Sequence, residues 1–471
     1  MAESFDFRPV SGKDRAMETM NRAQRRLAKK QGGSPPTQST VAPIFAEALS
    51  RHQAGALPEA EQLYRQILAV EPRHADSLHL LGVIAHQINQ DDDAVALIGR
   101  AIRIDGSKAP YHNHLGVALE AQGKRTEAAQ RYGRALSLDP NFAEAHVNLA
   151  NLQKDDGKLD EALSHYTRAL SLKPDVADTY FNMGLALRLQ GKLDKSFAAL
   201  RRHGELKFSA GVQGDGKPVL PHKTKHDREQ LDYLGLDAAT DLGRLCRYEG
   251  GARVAAAVNP AIDSTRIEAE WDTSKPQVAV VDDLLTPEAL EELRRFCWGS
   301  NVWRVVYRNG YLGAFPDTGF ACPLLGQIAG ELGAKLPRII RHHKLMQCWG
   351  FKYDSSLTGI NVHADKAAVN VNFWITADDA NQDKDHGGLK IWDVSAPLDW
   401  DFQKFNNDEN AIRDFLAETN ANAITVPYRC NRAVIFDSDL FHETDHLDFA
   451  EGYRNRRINV TMLYGLREDG A

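Results

Sequence analysis

A chain of 471 residues has room for two to four domains. Its 43% hydrophobic and 26% charged residues give a globular balance, not that of a disordered or fibrous chain. A net charge of −7 argues against a general nucleic-acid surface. Five cysteines, an odd count with no Cys-x-x-Cys pair, argue against a disulfide framework or zinc cage and for a reducing compartment. No apolar run reaches the roughly 18 residues of a membrane span, and the first residues lack a basic-then-apolar signal. The expectation is a cytoplasmic protein with no nucleic-acid or membrane partner.

Residues 1–40 read as a basic tail and linker. RAQRRLAKKQ admits either a short helix facing an acidic partner or a solvated arm, and GGSPPTQST is rich in breakers. Residues 41–210 repeat every 34 positions. Leu81-Gly82, Leu115-Gly116, Leu149-Ala150 and Met183-Gly184 share this spacing, as do Ala60, Ala94, Ala128, Ala162 and Ser196. Gly55, Gly123, Gly157 and Gly191 keep the same register, as do Pro72, Pro140 and Pro174. Small residues at fixed points let paired helices approach closely. The glycines end the first helix of each pair, where a left-handed residue is needed, and the prolines open the next unit. This helix–turn–helix period resembles the tetratricopeptide repeat over about five units. The second unit is the weakest, with Asn89 and Gly106 in place of glycine and proline. The resemblance implies a superhelix with a protein or peptide partner on its concave face; a spacer or assembly arm is the competing role.

Residues 211–275 read as a connector, in which VQGDGKPVLPHKTKHDREQLDYL starts with breakers and then turns helical and a second helical piece lies around DAATDLGRLCRYE. Residues 276–471 begin with a strand at QVAVV and a helix capped by Thr286, with Pro287 first and Glu288 in its first turn. Short apolar or alternating runs follow: KLMQCWGFKY, AAVNVNFWIT, GGLKIWDV, ANAITVP, RAVIFDS and RINVTMLYG. Their spacing predicts an antiparallel sandwich or barrel.

A mononuclear iron(II) oxygenase centre takes two histidines and a carboxylate on one face of the metal, leaving three positions open. In sequence this is His-x-Asp with a distant histidine. The spacing of two puts both side chains on one side of an extended segment. His-x-Asp occurs three times, at His74/Asp76, His363/Asp365 and His446/Asp448. The first lies at a repeat junction and the last in a polar loop. Only His363/Asp365 sits between two predicted strands. His442, just past RAVIF, is the preferred distal ligand, and His446 is its competitor.

The segment from Lys344 to Leu466 resembles 2-oxoglutarate- and iron(II)-dependent oxygenases of the prolyl-hydroxylase type. The residues carrying the resemblance are Tyr353 ten before His363, the Gly387-Gly388 pair leading into a strand, and Arg457-x-x-x-Thr461. The resemblance implies a double-stranded β-helix domain (jelly-roll, cupin-like) with flanking helices over residues 276–471. It implies His363, Asp365 and His442 as iron ligands and 2-oxoglutarate as cosubstrate with O2, and it admits ascorbate. Tyr353 would contact 2-oxoglutarate. Arg457 would hold its far carboxylate through a bidentate pair, with Thr461 in support. Strand alternation turns Asn370, Asn372 and Trp374 toward the pocket and Val369, Val371, Phe373 and Ile375 away from it. Asn372 either bonds the cosubstrate or a water, or belongs to a structural network. Two departures from the family stand out: a long gap from His442 to Arg457, and an insert over residues 393–422 that could form a lid or a substrate-reading loop. The implied reaction is hydroxylation of a protein or peptide side chain recruited by the repeats. Alternatives are a small-molecule oxygenase whose repeats serve assembly, and a non-catalytic repeat scaffold.

Overall fold

The computed structural model describes residues 41–209, 220–243, 245–340, 342–354 and 359–467. The basic tail and linker over residues 1–40 lie outside them. The chain forms two compact units that divide between Leu149 and Ala150. No helix among the described residues is long and apolar enough to cross a membrane.

The first unit is helical. Its hairpins are Val41–Gln53 with Leu57–Val70, Ala75–Gln87 with Asp91–Ile104, and Ala109–Ala121 with Arg125–Leu138, followed by the start of Ala143–Asp155. Gly55 and Gly123 turn the hairpins at φ +76° and +75°. Asn89 takes the same place at φ 59°, a conformation asparagine tolerates better than other side-chain-bearing residues. The weak repeat is thus regular in backbone. Gly82 and Gly116 sit where a Cβ would meet Ile98 and Tyr132 of the facing helix. Those partners, with Tyr64, are spaced by 34 residues and fully buried. His74 caps helix Ala75–Gln87 by accepting from Ser77 N at 3.2 Å, and Asp76 accepts from the Tyr111 hydroxyl. This His-x-Asp copy is therefore structural.

The second unit begins with helices of the same kind, ending in Ala177–Leu189 and Leu193–Ser209. A connector helix, Pro221–Leu234, follows. The second connector helix expected around residues 237–249 does not form. The described residues of that stretch run as turns and irregular chain, and the helix is Ser264–Thr273, capped by Asp263 accepting from Arg266 N. Asp237 and Asp241 instead accept from the backbone two residues on, at Ala239 and Gly243, a local bond that competes with helix.

Ten strands are present among the described residues: β1 (Val278–Val281), β2 (Val305–Val306), β3 (Tyr311–Ala314), β4 (Leu345–Tyr353), β5 (Val369–Trp374), β6 (Leu389–Ser395), β7 (Ala423–Val426), β8 (Ala433–Asp437), β9 (Leu440–Thr444) and β10 (Ile458–Tyr464). They build an antiparallel seven-stranded sheet, β1-β8-β5-β10-β4-β3-β2, and an antiparallel three-stranded sheet, β7-β6-β9. One face of the large sheet buries Val369, Val371, Phe373 and Ile375 against helices Pro287–Gly299 and Pro323–Lys335. Thr286 caps the first of these by accepting from Ala289 N at 3.2 Å. Phe197 and Leu200, from Leu193–Ser209, belong to the same core. The last repeat helix is thus part of the sheet's packing, and its Gly204 lies so close to Gly319 that a Cβ would come within 2.9 Å. The opposite face of the sheet packs Trp349, Phe351, Trp374 and Phe436 with Leu389, Ile391 and Leu440 of the small sheet.

Two predictions follow from the repeat packing. Gly116→Val places atoms where Cβ alone already comes 2.5 Å from Tyr132, and overpacking of this kind costs about 1–3 kcal/mol; an unchanged urea midpoint would contradict the close approach. His79 is buried and bonds His114 across adjacent hairpins at 2.7 Å. Burial, reinforced by His114 and His52, lowers its pKa to about 3. The unfolded chain takes up that proton near pH 6.5. Stability is therefore full above that pH and falls by about 1.4 kcal/mol per pH unit as pH drops below it toward the folded value. Between pH 7 and 5 the urea midpoint should fall further in the wild type than in His79→Leu; parallel curves would refute it.

Candidate metal centre

His363 and His442 meet through their backbones. His363 N donates to His442 O at 3.0 Å, and His442 N donates to His363 O at 2.8 Å, an isolated antiparallel pair beside β9. Such a pair sets two side chains side by side, and the ring centroids lie 4.3 Å apart. Asp365, two residues on, points to the same side. One of its oxygens is 3.9 Å from His363 Nε2 and the other 3.5 Å from His442 Nε2. Two atoms bound to one ion at about 2.1 Å are at most about 4.2 Å apart, so both distances fit a shared ion. These three residues form the one group of metal-ligating side chains found among the described residues, with ligand atoms all within 4.8 Å of one another.

The donor chemistry suits a cation. His363 Nδ1 bonds Asn361 O at 2.8 Å, and His442 Nδ1 bonds Leu440 O at 3.0 Å. A ring nitrogen facing a carbonyl must carry the hydrogen, which leaves each Nε2 lone pair directed at the centre. Burial, with His442 beside it, lowers the His363 pKa to about 4 and keeps the ring neutral. For Asp365, burial alone would push the carboxyl up. The adjoining His442 and His363 rings and the Asn370 amide outweigh it and hold the group below its ordinary value. Asn370 Nδ2 donates to Asp365 Oδ2 at 2.7 Å.

His446 does not join this group. It is exposed and its ring faces His386. Between the competitors, His442 is the histidine that reaches His363 and Asp365. It lies on a strand of its own, β9, reached through a tight turn after β8.

The same cleft is lined by Tyr353, Asn370, Asn372, Arg457, Asn459 and Thr461, with Trp349, Phe351 and Ile360 as an apolar wall. Arg457 is 1% exposed. Its Nε donates to Gly387 O at 2.7 Å and its Nη2 to Gly388 O at 3.1 Å. The guanidinium packs over Tyr353 and Trp374, 4.7 and 5.5 Å from their ring centroids. Of its five N–H groups, those on Nη1 and the second on Nη2 remain for an acid, the former shared with Asn459 Oδ1 at 3.4 Å. The glycine pair owes its place to this arginine. Gly387 adopts φ +87°, and a Cβ on Gly388 would overlap the Val426 carbonyl oxygen, so two carbonyls can turn to one guanidinium.

Thr461 lines the same cleft but makes no hydrogen bond to Arg457. Its Oγ1 accepts from Asn372 at 3.0 Å and Asn459 at 3.2 Å, and Asn459 is the residue that reaches Arg457. The reason is strand pitch: same-face neighbours are two residues apart, and Thr461 is four away, about 13 Å along the strand. Asn372 belongs to this network, yet its Oδ1, like that of Asn370, is buried without a protein partner. Two orphaned acceptors facing a cleft mark room for a hydrogen-bonding ligand. Tyr353 lies 3.4 Å from Thr444 Oγ1. Burial, against the pull of Arg457, pushes its hydroxyl up, so it stays protonated. Thr444, Asn459 and Glu443 also line the cleft, and sequence reasoning assigns them no role there. The first follows from alternation on His442's strand, the second from alternation on Arg457's.

Gly388→Ala is expected to displace β6 from Val426 and lower stability by about 1–3 kcal/mol, more than the same change at Gly133, where a Cβ meets nothing within 4 Å. Equal thermal midpoints for the two variants would refute the role given to the pair.

Comparison with known proteins concerns the repeats. Residues 45–109 match the family described as tetratricopeptide repeat, and residues 121–157 and 154–191 match that described as TPR repeat, together less than half of the chain. Solved structures similar to the chain include MamA, 23% identical with a TM-score of 0.31, covering 34% of this chain and 94% of that one. YrrB, described as a TPR protein with an unusual peptide-binding site, is 19% identical with a TM-score of 0.30, covering 39% and 92%. PilF of Pseudomonas aeruginosa is 21% identical with a TM-score of 0.34, covering 37% and 78%. No curated protein matches the chain. Residues 45–109 and 121–191 are tetratricopeptide repeats.

Proposed function

We propose that the chain is a 2-oxoglutarate-dependent iron(II) dioxygenase of the prolyl-hydroxylase type, built on a double-stranded β-helix, which hydroxylates a protein or peptide side chain recruited on the concave face of its repeats. The observation that carries this reading is the convergence of His363, Asp365 and His442 in a cleft that also holds the buried Arg457. Two imidazoles and one carboxylate match the facial donor set of non-haem iron(II) sites.

Iron(II) held there supplies the redox chemistry that couples decarboxylation of 2-oxoglutarate by O2 to oxidation of a C–H bond. The chain's own groups do the rest. His363 and His442 present Nε2, and Asp365 presents the charge that offsets part of the cation's. Arg457 is always protonated and faces the cleft with the N–H groups its glycine carbonyls do not use, so a distant carboxylate finds a fixed cationic end. The Tyr353 hydroxyl and the free acceptors of Asn370 and Asn372 offer further hydrogen bonds. Trp349, Phe351 and Ile360 keep the wall dry, which strengthens each of these interactions.

Purified protein should bind iron and form succinate from 2-oxoglutarate. His363→Ala and His442→Ala should reduce that activity to background. Arg457→Lys keeps the charge but loses the planar fork, so KM for 2-oxoglutarate should rise by about tenfold or more, the scale of about 1.4 kcal/mol per decade. Wild-type protein that neither binds iron nor forms succinate leaves a repeat scaffold and overturns the dioxygenase reading. If the full-length protein recovers no protein partner, a small-molecule substrate takes the place of the proposed protein one.

A further inference from the structure

We propose that the helical insert between β6 and β7 braces the metal ligands, with Asn406, Glu409 and Arg413 as positioning residues. The inference rests on the metal-binding reading above. The insert is no free loop. It contains helices Phe402–Asn407 and Glu409–Glu418, and Phe405, Ile412 and Leu416 are buried in one cluster with Val362, Ala364 and Phe441. Its base is closed by Asp393, whose backbone N donates to Asn422 O at 2.9 Å while its carboxylate accepts from Asn422 N at 2.7 Å.

The need for a brace follows from the backbone. In an extended segment, successive residues direct their N–H and C=O groups to opposite sides. His363 spends both of its groups on His442. Ala364, between the two ligands of the His-x-Asp pair, therefore turns its groups the other way, is fully buried, and meets no strand there. Buried backbone groups require partners. The insert supplies both: Ala364 N donates to Phe405 O at 3.0 Å, and Asn406 Nδ2 donates to Ala364 O at 2.8 Å. One carbonyl and one side-chain amide thus stand in for a strand.

Two further contacts reach the ligands from the same insert. Asn361, whose carbonyl fixes the His363 tautomer, donates its side-chain amide to Glu409 Oε2 at 2.6 Å. Arg413 bonds Glu409 at 2.7 Å and Glu443, the residue after His442, at 3.0 Å. All of these contacts lie one or two residues from a ligand, and together they reach the neighbours of both histidines and the aspartate.

The test measures affinity of the full-length protein for Mn2+ and Co2+, with the Co2+ absorption spectrum as a second readout. Asn406→Leu keeps the size but removes the donor; Arg413→Gln cuts the tie to Glu443; Gln403→Ala, exposed on the same insert, is the control. Asn406→Leu should weaken metal binding by about tenfold or more, as loss of groups that orient ligands does elsewhere, and alter the Co2+ spectrum. Arg413→Gln should do so to a smaller extent, and Gln403→Ala should match wild type. Wild type that binds metal alongside an Asn406→Leu variant of equal affinity and spectrum overturns the brace alone. Wild type that binds neither ion overturns the brace together with the metal reading.

Discussion

Two backbone hydrogen bonds between His363 and His442 join parts of the chain 79 positions apart in sequence. They set the ring separation, and ring separation decides whether one cation can reach both nitrogens. His363 stands in the loop leading to β5 of the large sheet, and His442 on β9 of the small one. The centre therefore exists only when the two sheets share a core. The packing of Trp374 and Phe436 against Leu389 and Leu440 is in this sense part of the site. Side-chain chemistry is then set locally: each imidazole is oriented by a carbonyl two residues before it.

Arg457 has a comparable dependence. A fully buried guanidinium without partners would be costly, and the fold answers with two glycine carbonyls and two aromatic faces. Gly388, just before β6, approaches Val426 of β7 more closely than any side chain permits. The glycine pair, the arginine and the three-stranded sheet thus form a single arrangement, and a change to any of them reaches the cleft.

Much of this was legible in sequence where one periodicity dominated. The 34-residue period exposed the repeats because several positions obey it at once, and the structure's buried series at Tyr64, Ile98 and Tyr132 has the same period. Alternation placed Asn370 and Asn372 on the cleft face of β5 and Val371 and Phe373 on the other. What stayed hidden depends on contacts between distant segments. β2 has two residues and β3 four, too few for a pattern to declare itself. The helix Pro323–Lys335 is buried on most sides, so its sequence lacks the polar face that marks an amphipathic helix. The insert resembles a loop in sequence because polar runs such as NNDEN interrupt it, yet Phe405, Ile412 and Leu416 are buried with Ala364. Asn459, two residues from Arg457 on the same strand face, is the neighbour that reaches it, as strand pitch alone requires.

The packing of Phe197 and Leu200 into the core of the large sheet bears on how the chain is made. During synthesis the repeats emerge before the sheet, and hairpins of the first unit such as residues 75–104 and 109–138 can close on one another as they appear. The last helix, Leu193–Ser209, cannot bury its second face then. Its partners lie between Ala257 and Tyr464, most of them far down the chain. Contacts of such long sequence separation form slowly, and an apolar face waiting for them is open to wrong partners. Assembly of the array is thus local and early, whereas its final helix remains incomplete until β10, the strand that carries the cleft's floor, has been made.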